Sequence, residues 1–381
     1  MTTVALRVLF ISENIGGHRT VHAHLARALA DHPEIASTFA YVPSPGWIRR
    51  AAGTRIPGLA RLDLDLQALR AKVAAALVTR RMVRDSVARA DVVHWYTHNA
   101  ALLSTDLVRA RASVIAVDMT NVQNQQRLPH REPTRFTPAA GRLAVRLEKR
   151  VYRAATLVLA KSEWAADSVR GDYGVTGDKV FTHPYGITAG PRQARRAPAR
   201  PMLLFIGTVM ARKGGGRLLS VWRAALRPRC DLTLVTKDAV PPEPGLTVRR
   251  DIDAGDGQLA GLLAECTVLV HPSEVDASPH VVFEAMAAGL PVIVTRSGGM
   301  PEQVVDGATG LVIPVADDHA LLAAITSLLD EPARAEAFGR AGRVLLEERF
   351  SVSVTVPRLV EHLEMAWALH SASRPHPRGA G

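Results

Sequence analysis

Short, continuously apolar runs recur along the chain, separated by longer stretches whose apolar residues return at helical spacing. The runs LRVLFI, DVVHW, SVIAV and TLVLA occupy the first half, and MLLFIG, DLTLVT, CTVLVH and LPVIVT the second. RTVHAHLARALA is one of the intervening helical stretches. Runs without polar alternation suit strands buried on both faces, and their alternation with helices predicts βαβ units in parallel sheets. Two late segments add helices: DDHALLAAITSLLD opens with two acids, and PARAEAFGRAGRVLLEERF begins at Pro332, a favoured first helical position. Both read as packing helices. No repeat of solenoid or propeller length stands out.

The run of elements is broken once, at TAGPRQARRAPARP, which is rich in Pro and Arg and lacks large apolar residues. With 381 residues, the chain is long enough for two domains. The expected fold is α/β, with two doubly wound Rossmann-like domains facing across a cleft. Their expected limits are 1–188 for the first domain, 189–201 for a hinge and 202–350 for the second. A C-terminal helix over 351–369 is expected to pack back on the first domain, followed by a frayed tail over 370–381.

Hydrophobic residues make up 47% and charged residues 22%, the balance of a globular protein. Cys230 and Cys266 lie in apolar segments without metal-ligand spacing, which argues against a disulfide framework or a zinc site and favours a reducing compartment. VALRVLFIS lacks a basic leader and reads as a buried strand, and no apolar run approaches a membrane span, so a cytoplasmic location is expected. The net charge of +11 favours anionic partners. Arginines are scattered with few aromatics between them, which argues against nucleic acid.

The most informative stretch is DASPHVVFEAMAAGLPVIVTRSGGMPE, residues 276 to 302. Ser278 and Pro279 predict a helix start with the Ser hydroxyl as cap, Gly289 predicts its end, and Pro291 blocks resumption. The helix opens after CTVLVH, at the strand end where open α/β sheets hold ligands. Its unpaired N–H groups, near His280 and Val281, suit a phosphate. Glu284, one to two turns inside, suits sugar hydroxyls as an acceptor, and Asp276 in the preceding loop suits a second ring. Taken singly, Glu284 also reads as a solvated helix residue and Asp276 as a turn residue. In FIGTVMARKGGG a glycine-rich loop after the strand would present Lys213 to a diphosphate. Its spacing fails the Walker pattern, and SENIGGHRT lacks the dinucleotide fingerprint, so neither a P-loop enzyme nor a nicotinamide enzyme is expected.

DASPHVVFEAMAAGLPVI and SGGMPEQVVDGATGLVIP, with FIGTVMARKGG, SENIGGHRTVHAHLARAL and VYRAATLVLAKSEWAADSVRGDYGVTGDKVFTHPYGI, resemble in order the family 4 retaining glycosyltransferases of the GT-B fold. The resemblance implies a retaining hexosyl- or hexosaminyltransferase that moves sugar from a UDP- or GDP-linked donor to a hydroxyl acceptor, whether glycan, lipid-linked or small molecule. The nucleotide sugar is a co-substrate; no cofactor or metal is implied. Lys213 and Arg212 would neutralise the diphosphate, Glu284 would bind ribose, and Asp276 would touch the transferred sugar. Gly207, Thr208, Ser278, Pro279, His280 and Val281 would complete the donor site. Gly16 and Gly17 would let the first-domain backbone approach the diphosphate and the acceptor, with His18 and Asp118 on the acceptor side. Three positions differ from the family pattern: Asp276 replaces a usual Glu, Thr208 a common Arg, and Asp118 lies where many relatives carry His. A GT-B-like sugar-nucleotide epimerase and an inactive sugar-nucleotide or membrane-surface binding protein are the alternatives. The Arg-rich stretch over residues 47–85 reads either as a peripheral contact with anionic membrane or as a solvated face.

Overall fold

The computed structural model describes residues 5–373 except 13–17, 43–46, 48–50, 53, 55, 57, 60–66, 126–136, 191–198 and 253–257. Gly16, Gly17, most of the expected hinge, much of the Arg-rich stretch and the last eight residues of the tail therefore lie outside the described residues. The chain divides into two compact units, Met1–Tyr185 with Thr355–Gly381, and Gly186–Val354.

The first unit holds six parallel strands: β1 (Leu6–Ser12), β2 (Ile35–Tyr41), β3 (Val92–Trp95), β4 (Ala112–Val117), β5 (Leu157–Ala160) and β6 (Val180–Thr182). Their order is β2-β1-β3-β4-β5-β6. β3, β4 and β5 are buried at every position, as their unbroken apolar runs require. One face of the sheet, with Leu9, Ile11, Val93, Trp95, Ile115, Val117, Val158 and Ala160, builds the main core against the helices Gln67–Arg89, Thr137–Ala154 and Glu163–Gly171.

Among the described residues, that core holds one carboxylate. Glu148, fully buried, accepts from Tyr152 Oη at 2.6 Å, from the Tyr173 hydroxyl and from the Asn121 N–H at 3.0 Å. The His98 ring lies 3.3 Å away. These donors offset the desolvation that an unpaired buried carboxylate would incur.

The second unit holds β7 (Met202–Ile206), β8 (Asp231–Val235), β9 (Leu246–Arg249), β10 (Val268–His271), β11 (Val292–Thr295) and β12 (Gly310–Ile313). Its all-parallel order, β12-β11-β10-β7-β8-β9, reverses direction between β7 and β10. At such a switch point the connections leave to opposite sides and open a crevice at the carboxyl ends of the two strands. The helices Asp318–Asp330 and Pro332–Arg349 form as expected, the first capped by Asp317 Oδ1 on the Ala320 N–H at 2.8 Å. Ile187 bridges to Ser351 within this unit. The last helix runs Val352–Ala372, beyond the expected end at 369, and its His362 ring lies against Phe181 in the first unit, 5.1 Å between centroids.

Replacing Glu148 with Ala is expected to cost about 3 kcal/mol of folding stability, because it leaves two tyrosine hydroxyls and a backbone N–H without their acceptor. Urea unfolding of the variant against its parent measures this; equal midpoints would contradict the role given to the cluster.

Candidate active site

Two loops meet at the carboxyl ends of β7 and β10. After β7, residues Met210–Lys213 form one helical turn where a loop was expected, and the Asp238 carboxylate accepts from the Met210 N–H at 2.7 Å. A loop of that length around Lys213 would leave several N–H groups unpaired; the turn and the Asp238 acceptor satisfy them. Gly214 follows with φ +77, and a Cβ there would lie 2.0 Å from the Pro272 carbonyl oxygen, so only glycine lets this turn press against the segment after β10. The contact is then stitched: the Arg212 carbonyl accepts from Glu274 N at 3.3 Å and Ser273 Oγ at 3.3 Å, while the Arg212 guanidinium donates to the Val275 carbonyl at 3.0 Å.

The stitching brings Lys213 onto Asp276 as a buried ion pair. The side chains are 16% and 8% exposed, so solvent screens the pair weakly. His271, the last residue of β10, donates from Nε2 to the same carboxylate oxygen, Oδ2, at 3.0 Å. Burial holds the His271 ring below its ordinary range against the pull of Asp276, so the ring is neutral and Nε2 carries its hydrogen. Nδ1 has no partner. Burial by itself would raise the Asp276 carboxyl, but the Lys213 charge and the His271 hydrogen bond outweigh it and hold the group well below the usual carboxylate range. The Asp276 backbone is fixed by Gly298 at φ +57, where a Cβ would fall 1.6 Å from the Asp276 carbonyl oxygen.

The helix after Asp276 corrects one expectation. It spans His280–Ala287 with Pro279 as its N-cap and no side-chain cap, so Ser278, buried in the loop, does not cap it. Gly289, at φ +68, lies just past its end as anticipated. Glu284 lies in the second turn, half-buried, with no hydrogen-bond or ion-pair partner for its carboxylate among the described residues. Burial pushes its carboxyl up to about 7. Gly207 donates to the Val235 carbonyl at 2.9 Å at the end of β7, and Thr208 beside it is exposed.

The structure thus brings together Gly207, Arg212, Lys213, Asp276, Ser278, Pro279 and the helix start with Glu284, all in the second unit. Asp118 and His18 belong to the first unit, with His18 opening the helix His18–Leu29 and Asp118 following β4. His271 was not foreseen. A histidine ending an apolar strand reads as core, and its one signal was its position just before the Pro-Ser turn that leads to Asp276.

Residues 253–345, which contain this site from His271 to Glu284, match the family model of the glycosyl transferases group 1. An MMP alpha-(1->4)-mannosyltransferase of Mycolicibacterium hassiacum is 30% identical over 236 residues, 59% of this chain and 57% of that protein, so the chain spans just over half the length of this relative. An alpha-maltose-1-phosphate synthase of Mycobacterium tuberculosis is 27% identical over 355 residues, covering 82% and 84% of the two chains. Among solved structures, Anabaena HepE in complex with UDP-glucose superposes with a TM-score of 0.69 at 16% identity, covering 94% of this chain and all of that one, a likeness of fold.

An acid raised by burial stays protonated in the folded chain after its unfolded counterpart has ionised. Glu284 therefore removes stability as the pH climbs from 4.5 to about 7, and the loss is complete above that. Glu284→Gln is expected to be more stable than the parent by about 2 kcal/mol at pH 8, allowing for partial solvation, with the gap closing near pH 4. Denaturant midpoints at the two pH values measure it; a gap independent of pH would show that burial does not control this carboxyl.

The two doubly wound units have the GT-B fold of the solved neighbours, and residues 253–345, in the second unit, match the glycosyl transferases group 1.

Proposed function

We propose that the chain is a retaining glycosyltransferase that moves a hexosyl or hexosaminyl unit from a UDP- or GDP-linked donor to a hydroxyl acceptor, without a metal. The observation that carries this reading is the ion pair of Lys213 with Asp276 beside the His280–Ala287 helix start, at the switch point of the second sheet. A nucleotide sugar has three parts that such a site suits. The diphosphate attracts the Lys213 ammonium and Arg212, and its oxygens suit the first-turn N–H groups of the helix. The ribose hydroxyls suit Glu284, which has acceptor capacity unused by the protein. The sugar hydroxyls suit Asp276, whose carboxylate is released when the diphosphate draws Lys213 away. The complex of HepE with UDP-glucose, on a similar fold, supports a donor of this class.

The bond between the anomeric carbon and the diphosphate breaks with charge developing on the leaving oxygen. Groups that meet this charge better than the ground state lower the barrier. Lys213 is the principal such group. Acceptor attack on the face that the diphosphate leaves gives retention, with a phosphate oxygen taking the acceptor proton. Neither carboxylate acts as a nucleophile in this scheme.

Lys213→Ala is expected to lower turnover about 10²-fold or more, the scale of losing one transition-state stabiliser. Transfer of labelled sugar from a panel of UDP and GDP donors measures it, and unchanged turnover would remove Lys213 from the mechanism. A changed free sugar nucleotide without transfer would instead indicate an epimerase.

Ribose hydroxyls donate to the ionised form of Glu284, which burial holds at about 7. Affinity for UDP or GDP is accordingly expected to tighten about three- to tenfold between pH 6 and pH 8 in the parent and to stay flat in Glu284→Gln. Calorimetry at the two pH values checks this; parallel profiles for parent and variant would refute ribose recognition by Glu284.

A further inference from the structure

Asp276 takes donors on both of its carboxylate oxygens. Oδ2 accepts from the Lys213 ammonium and from His271 Nε2 at 3.0 Å, and Oδ1 accepts from the Ala277 N–H at 3.1 Å. These donors differ in how far they can move. His271 is fully buried at the end of β10, its backbone in register with Val294 of β11 and its ring stacked toward Phe205, 6.5 Å between centroids. The Ala277 N–H belongs to a segment tied to the turn after β11, where Ser297 Oγ donates to the Glu274 carbonyl at 2.8 Å and Gly299 N to the Ala277 carbonyl at 2.7 Å. Lys213 instead reaches the carboxylate on a flexible four-carbon stem.

A diphosphate that draws Lys213 away removes the cation from Asp276 and vacates a lone pair on Oδ2. The buried carboxylate then depends on the hydrogen bonds that remain, and bonds to an ionised acceptor are the strong ones. His271 Nε2–H is the donor that stays on Oδ2, the oxygen that Lys213 leaves. A neutral ring suits this place. A charged imidazole would take the carboxylate as a second ion pair and compete with an incoming hydroxyl, whereas a neutral N–H fills one lone pair and leaves the other open. The Nδ1 side of the ring is buried without a partner, so Asp276 is the one hydrogen-bond partner that fixes the ring's tautomer. The buried lysine of the first unit, Lys161, shows the contrast: it is 7% exposed, its ammonium lies over the Tyr185 ring at 4.9 Å, and among the described residues no carboxylate pairs with it.

We propose that His271 is a positioning residue of the donor site: it holds the Asp276 carboxylate in place while Lys213 changes partner, so that the lone pair vacated on Oδ2 is offered to a hydroxyl of the transferred sugar. This role deepens the glycosyltransferase reading above and rests on it. His271 touches neither the diphosphate nor the sugar in this scheme and acts through Asp276. Its bond is present before and after the exchange but is worth more after it, when the carboxylate has lost its cation. Removing it therefore favours the closed Lys213–Asp276 pair and shows in donor affinity, whereas the bond-breaking step is served by Lys213.

The test uses the full chain, with UDP, GDP, UDP-glucose and GDP-mannose as probes by calorimetry and labelled-sugar transfer from the last two. His271→Leu is expected to weaken whichever of these the parent binds about tenfold, and to raise the donor KM by a like factor with kcat within about threefold of the parent. His271→Gln, whose amide N–H reaches the place of Nε2, is expected to return affinity to within about threefold of the parent. In an Asp276→Ala background the same His271→Leu change is expected to have no further effect on binding, because a residue that acts through the carboxylate is silent without it. A fall in kcat with KM unchanged, no recovery in His271→Gln, or an undiminished effect in the Asp276→Ala background would overturn the role. Should His271→Leu fail to fold, the His271 Nε2–H proton in the 15N-labelled parent decides: saturating nucleotide is expected to move it downfield, and an unmoved or upfield signal rejects the role. Equal nucleotide binding by His271→Leu and the parent refutes the positioning role and leaves the transferase reading intact. A parent that transfers no sugar but binds nucleotide more tightly than His271→Leu does the reverse, and a parent that binds none of the four probes overturns both.

Discussion

The contact on which the second unit depends is the buried pairing of Lys213 with Asp276. Removing one member of such a pair strands the other charge in a poorly solvated place, at a cost of about 3–5 kcal/mol. The pair forms only because two loops approach to backbone contact. That approach is possible because Gly214 and Gly298 have no Cβ where a carbonyl oxygen stands. The rest follows from the same approach: Arg212 is fixed on the Val275 carbonyl, His271 is held against the carboxylate, and the helix bearing Glu284 begins four residues later. Glycines at these positions thus serve the charges by giving up side chains.

How much of this was legible in the sequence follows from burial. The eight strands read from continuous apolar runs are β1, β3, β4, β5, β7, β8, β10 and β11, and every one is interior to its sheet. The four that went unread, β2, β6, β9 and β12, are the four edges. An edge strand is covered on fewer sides and does not need an unbroken apolar run, as the mixed burial of Ile35–Tyr41 and Leu246–Arg249 shows. The same logic explains the site. Lys213, Asp276 and Glu284 were found because charged residues beside glycine turns and a helix start have few packing explanations. His271 and Lys161 were passed over because each adjoins an apolar run, where polar residues look like strand ends. The short turn Met210–Lys213 and the Pro279 cap escaped for a different reason: tertiary partners, Asp238 among them, decide them, and local propensity does not.

The two sheets treat desolvated lysines in opposite ways. In the second unit the charge is balanced internally, and under the proposed function a donor would exchange its diphosphate for the Asp276 carboxylate as the partner of Lys213. Such an exchange keeps the number of buried charges matched before and after binding, which makes the cost of opening the pair smaller than the cost of creating a bare one. In the proposed scheme it would also couple the two ends of the donor, because the carboxylate would become available to the sugar only when the diphosphate had engaged the lysine.

In the first unit no such exchange is open to Lys161, since Asp118 acts on it from beyond ion-pair reach and bonds its own neighbour, the Met119 N–H, at 2.8 Å. Burial instead lowers the Lys161 ammonium to about 8, with Asp118 pulling the other way. One chain therefore carries a lysine paired by a carboxylate and a lysine held by burial at a lowered proton affinity. The difference between them lies in a carboxylate held in contact by the Gly298 turn in one sheet and absent from contact in the other.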